Sequence, residues 1–124
     1  MQITRRIASI VLIVCVQFAF SRTKRSPLQQ APPAATQLLN PYDGQHDAQR
    51  AGAKLYQREC AACHGADARG IGKALPLASP EVRHASAAAV FWVLRNGSIG
   101  RGMPSFSHLP EEQRWQIVTY LRML

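Results

Sequence analysis

The 124-residue sequence predicts an all-α fold of about three to four helices. Three observations lead there. Apolar residues recur at helical spacing in three stretches, which begin near Ala48, Ser86 and Pro110. No stretch alternates apolar and polar residues with the period of two that a half-buried strand requires. Most of the proline and glycine gathers between the three stretches, where it marks turns and loops.

Residues 1–21 read as an export signal, with Arg5 and Arg6 before an apolar run at 7–20 that only Ser9 and Gln17 interrupt. Ala19-Phe20-Ser21 approximates a small-x-small cleavage site. The run is shorter than the roughly 20 residues of a membrane span. An uncleaved N-terminal anchor is the rival reading. Val14 before Cys15, and apolar residues after it, argue against a lipoprotein site. Residues 22–40 carry Pro27, Pro32 and Pro33 among Gln and Ala, with few large apolar side chains. Such a segment has little to offset its ordering entropy, so a disordered linker is expected. The folded domain is expected over 41–124.

The first helix runs from Ala48 toward Cys60, with Asp47 as an N-cap and Ala51, Leu55 and Tyr56 facing inward. Gly65, Gly70 and Gly72 make the next segment irregular. It lacks the Gly-Lys-Ser/Thr ending of a phosphate-binding loop. Residues 74–80 read as extended, bounded by Pro76 and Pro80. Ser86 caps the second helix, Val90, Phe91, Val93 and Leu94 fill its apolar side, and Asn96-Gly97 ends it. Residues 99–109 form another loop. Pro110 suits the first turn of the last helix, Glu111 and Glu112 sit near its positive end, and Trp115, Ile117, Val118, Leu121 and Leu124 supply its apolar residues.

Cys60-Ala61-Ala62-Cys63-His64 reads C-x-x-C-H, the attachment sequence for one c-type haem. On a helical turn, positions i, i+3 and i+4 share a face. Two thioether links can then hold one porphyrin edge while the imidazole turns under the iron. A structural zinc site needs about four N or S ligands, and the third cysteine, Cys15, lies far away in the apolar run. A thioredoxin-like motif needs a βαβ surround that is missing. A Cys60–Cys63 disulfide would leave His64 without a role.

Lysine and arginine outnumber aspartate and glutamate 15 to 7. All seven acids lie at or after Asp43, so from Pro41 onward the net charge is only +3. The high pI therefore describes the N-terminus, and no nucleic-acid motif accompanies it. Iron bound by one histidine has a sixth position to fill. Met103, in Gly102-Met103-Pro104, is the best candidate, because Met1 is in the signal and Met123 is on the last helix. His84 and His108 are its competitors.

From about Gln49 to Leu124 the sequence resembles the class I c-type cytochromes, in particular the small bacterial monohaem type similar to cbb3-oxidase subunit III. Cys60-Ala61-Ala62-Cys63-His64-Gly65, Leu94-Arg95-Asn96-Gly97, Gly102-Met103-Pro104-Ser105-Phe106 and the closing helix from Gln113 to Leu121 carry the resemblance. It implies a small class I cytochrome c fold packed around one covalently attached haem. It implies Cys60 and Cys63 as thioether cysteines, His64 as proximal ligand and Met103 as distal ligand. Pro76, twelve residues after His64, matches the proline whose carbonyl takes the histidine Nδ1 proton. Gly52 and Tyr56 are expected to pack near Tyr120 and Leu121.

The expected function is single-electron transfer in the periplasm, at the outer face of a bacterial membrane, between protein partners such as a dehydrogenase and a terminal oxidase. No catalysis and no nucleic-acid partner are expected, and membrane association would run through the N-terminal segment. Arg69, Lys73, Arg95 and Arg101 are expected to steer acidic partners. The alternatives are a cytochrome subunit of a larger oxidase or dehydrogenase, and a peroxidase or gas binder with an open sixth site.

Overall fold

The computed structural model describes residues 25–124. The apolar run at 7–20, Cys15 and the cleavage pattern lie outside the described residues. Five α-helices and no β-strand occur among the described residues: α1 (His46–Glu59), α2 (Ala61–His64), α3 (Pro80–His84), α4 (Ala87–Asn96) and α5 (Glu111–Leu121). The fold is all-α, with one more short helix than the sequence suggests. That helix, α3, starts at Pro80, the last residue of the segment that reads as extended, and runs on to His84. Ser79 caps it by accepting from the Val82 amide, Pro80 starts it, and Val82 is buried.

α1 crosses α5 in the principal helix contact. Gly52 makes the crossing close: a Cβ there would lie 2.6 Å from the Gln116 carbonyl carbon and 2.9 Å from Tyr120 Cβ. Next to it the Tyr56 and Tyr120 rings lie 5.4 Å apart. α4 lies against α5 through Phe91 and Trp115, whose rings stack at 3.9 Å and 15°. The inward residues of α1 are Ala48, Gly52, Leu55 and Tyr56, with Ala51 only half-buried. Asp47 does not cap α1. Gln45 occupies the cap position, and Asp47 pairs with Arg50 inside the first turn. Pro110 likewise precedes α5 rather than opening it.

The linker expected over 22–40 does not describe residues 25–40. They form two 3-10 turns, Leu28–Gln30 and Ala35–Gln37, both laid against α4. Leu28 packs on the core, and Asn40 Nδ2 donates to Thr119 Oγ1 at 2.9 Å. Composition misleads here because proline fixes φ before folding, so Pro27, Pro32, Pro33 and Pro41 leave less entropy to lose.

Candidate functional site

α1 delivers the chain to the Cys-Ala-Ala-Cys-His sequence and stops at Glu59. Cys60 is the joint, and its carbonyl accepts from both the Cys63 amide (3.2 Å) and the His64 amide (2.9 Å). This single turn places Cys60, Cys63 and His64 on adjacent positions of one short helix. Gly65, at φ +80°, ends it. Both cysteines are free thiols, Cys60 buried and Cys63 exposed. Burial, with smaller contributions from Glu59 and Cys63, pushes the Cys60 thiol up to about 12. It is therefore an S–H group at neutral pH.

The segment after His64 folds back on the motif. Gly70 N donates to the His64 carbonyl at 2.7 Å, and Ile71 N to the Cys63 carbonyl at 3.0 Å. The Leu77 and Ala78 amides both donate to the Ala68 carbonyl, at 2.8 and 3.0 Å. From α1, the Tyr56 hydroxyl donates to the Gly65 carbonyl at 2.7 Å. Residues 74–77 are thereby drawn alongside the histidine, and His64 Nδ1 lies 2.8 Å from the Leu75 carbonyl oxygen. A carbonyl only accepts, so Nδ1 carries the proton and Nε2 keeps its lone pair.

The proton therefore goes to Leu75, not to the carbonyl of Pro76. Pro76 acts one residue removed, by restricting the residue before it to extended backbone, which aims the Leu75 carbonyl. The proline restriction is itself a sequence signal, and the expectation placed it one residue too late.

Met103 follows a short closed loop. Ser98 and Met103 exchange backbone hydrogen bonds (2.9 and 3.2 Å) around the 3-10 turn Ile99–Arg101, and Gly102 is left-handed at φ +81°. Met103 is half-buried and packs against the core. Gly97 lets this loop fold onto the end of α4. It has φ +72°, and a Cβ there would lie 2.7 Å from Pro104 C and Ser105 N.

Further along, Phe106 N donates to the Leu94 carbonyl at 2.9 Å and Ser105 Oγ to the Arg95 carbonyl at 2.6 Å. Arg114, 8% exposed, donates from one guanidinium nitrogen to the carbonyls of Ser107 and Leu109, and its guanidinium lies 5.2 Å from the Phe91 ring centroid. Sequence reasoning gave Arg114 no role. The available signal was its position on α5, three and four residues before the buried Ile117 and Val118. His84 and His108, the rival ligands, are both exposed.

Among the described residues no three His, Cys, Asp or Glu side chains gather into a metal site. What the fold offers is one imidazole with a free Nε2, two free thiols three residues apart, a thioether side chain on a second loop, and a core bordered by half-buried apolar residues. This donor set fits a covalently held haem: two thiols to add across its vinyl groups, and histidine and methionine for its iron.

Fold and donors together define a small c-type cytochrome domain. The family described as cytochrome C oxidase, cbb3-type, subunit III matches residues 47–121, more than half of the chain, and the chain belongs to that family. No curated protein sequence matches it. Membership implies a covalently bound haem c and a role in electron transfer.

Proposed function

We propose that the protein is a monohaem electron carrier, exported to the periplasmic face of a bacterial membrane, with His64 and Met103 as axial ligands. The observation that carries this reading is the 2.8 Å bond from His64 Nδ1 to the Leu75 carbonyl. It fixes the tautomer that leaves Nε2 free for a metal, and it raises the basicity of the ring. When bound, the haem supplies the one-electron chemistry, and methionine opposite histidine raises its potential. Cys60 and Cys63 would tether the group, and His64 and Met103 would supply its iron ligands, as suits an electron carrier. Partners are redox proteins met through brief contacts. Of the cations expected to steer them, Lys73 and Arg95 are exposed, Arg69 lies 3.7 Å from Asp67, and Arg101 is engaged with Arg25.

The test is an optical spectrum of the matured protein, recorded oxidised, reduced, and reduced with carbon monoxide. A low-spin reduced spectrum, a weak red methionine-to-iron band when oxidised, and no carbon monoxide shift are expected. A high-spin spectrum that shifts fully with carbon monoxide would overturn Met103 ligation and favour a gas binder or peroxidase. A second reading follows from the family itself, whose description names an oxidase subunit. Co-purification with a membrane oxidase, rather than recovery as a free monomer, would select it.

A further inference from the structure

The family match begins at residue 47, yet residues 25–40 are folded onto the domain. One end of this strap is tied at α5, where Asn40 bonds to Thr119, itself 1% exposed. The strap then crosses α4, with Leu28 packed on the core. Its other end reaches the loop that carries Met103: an Arg101 guanidinium nitrogen donates to the Arg25 carbonyl at 3.1 Å. Gln30 Nε2 donates to the same carbonyl at 3.2 Å, which fixes its direction.

Residues 98–103 are closed on themselves by the Ser98–Met103 pair, by Arg101 N to the Ser98 carbonyl (2.8 Å) and by Gly102 N to the Ile99 carbonyl (2.9 Å). A tip closed in this way ties the position of residues 99–102 to the Met103 backbone. Among the described residues, the Arg101–Arg25 bond is the one side-chain hydrogen bond by which residues 99–102 are held to another segment. A cleft of about 890 Å³ is lined jointly by residues 97–101 and by Arg25, Pro27, Gln30 and Trp92. The tip's apolar side chain, Ile99, is 73% exposed rather than seated against the strap.

We propose that Arg101 is a positioning residue for Met103, and that the strap at residues 25–40, outside the family's common core, is the fixed point it pulls against. The loop is thereby stiffened from outside, and the frequency with which Met103 swings away from its seat is set by an arginine bonded to the strap. This rests on the reading of Met103 as the sixth ligand.

The experiment uses the full-length matured protein and two variants, Arg101→Gln and Leu28→Ser. The first removes the bond from the loop side, and the second loosens the strap while leaving the loop sequence intact. Two rates are read: hydrogen exchange at the Met103 amide, which donates to the Ser98 carbonyl, and carbon monoxide uptake by the reduced protein, which requires Met103 to leave. Both variants are expected to raise both rates about fivefold or more through easier local opening, with amides of α1 and α5 unchanged. The double variant is expected to match the larger single effect, because both changes cut one connection.

Unchanged rates in Arg101→Gln would overturn the proposal. Faster rates in Arg101→Gln but not in Leu28→Ser would remove the strap from it. General acceleration that includes α1 and α5 would reduce both residues to a structural role and also overturn it. A parent protein without the methionine-to-iron band would instead defeat the ligand reading, while the exchange rates would still report on the brace.

Discussion

The loop after His64 closes largely on itself, whereas the loop that carries Met103 is held by other elements: α4, α5 and the strap. On the histidine side, His64 bonds to Leu75, Gly70 to His64, Ile71 to Cys63, and Leu77 to Ala68, all within about one short segment. On the methionine side the partners are the end of α4, Arg114 on α5 and Arg25 at the start of the strap. The contacts of the methionine side exist only once α4, α5 and the strap are docked. The histidine side should therefore survive perturbations that release the methionine.

The largest effect should come from Gly52→Ala, which breaks the frame that both sides share. The new methyl would strike Gln116 backbone, which cannot turn aside as a side-chain tip can. A loss of about 3 kcal/mol is expected for forced separation of α1 and α5, read as a lower urea midpoint. An unchanged midpoint would mean that the helices slide apart freely, and the shared frame would cease to explain the site.

Gly97→Ala separates the two sides. The alanine would need φ near +72° and would press on the Pro104–Ser105 backbone, at about 2–3 kcal/mol. Covalent haem is expected to remain and the methionine-to-iron band to fade. Loss of the covalent haem as well would show that the sides are not independent. Arg114→Met comes next. It deletes the bonds to the Ser107 and Leu109 carbonyls but keeps a chain that can lie on Phe91. About 2 kcal/mol is expected, most of it from the buried Leu109 carbonyl left without a donor, together with the same weakening of the band.

This difference between the sides also explains what could be read from the sequence. The histidine side is legible because its chemistry is written in one short motif, and because Pro76 flags the segment that accepts from the ring. The helices are legible from Ser86, from Asn96-Gly97 and from the apolar spacing of α4. The strap is not, because its composition resembles a spacer and what orders it, Leu28 on the core and Arg101 on Arg25, lies elsewhere in the chain. Arg114 is missed for a related reason. An arginine among Trp115, Ile117 and Val118 reads as surface until two backbone carbonyls are brought to it.

The smallest expected effect tests a tie from α1 to the loop on the histidine side, from Tyr56 to Gly65. Tyr56 is fully buried, and burial first, then Cys60, Tyr120 and Asp67, raise its phenol from 10.0 to about 12. Tyr56→Phe leaves the Gly65 carbonyl short of a donor, at about 1 kcal/mol near pH 8. The penalty should shrink as pH rises. In the unfolded chain the phenol ionises near its usual value, whereas the folded chain keeps its proton until about 12. The raised value therefore contributes stability that is complete below about pH 10 and is lost as pH climbs toward 12. Phenylalanine has no such proton, and the other tyrosines are common to both proteins, so their titration cancels in the difference. Urea midpoints of parent and variant should converge between about pH 10 and 12. A constant gap over that range would mean that Tyr56 ionises as readily folded as unfolded. The loop after His64 would then be open to water, not closed on itself.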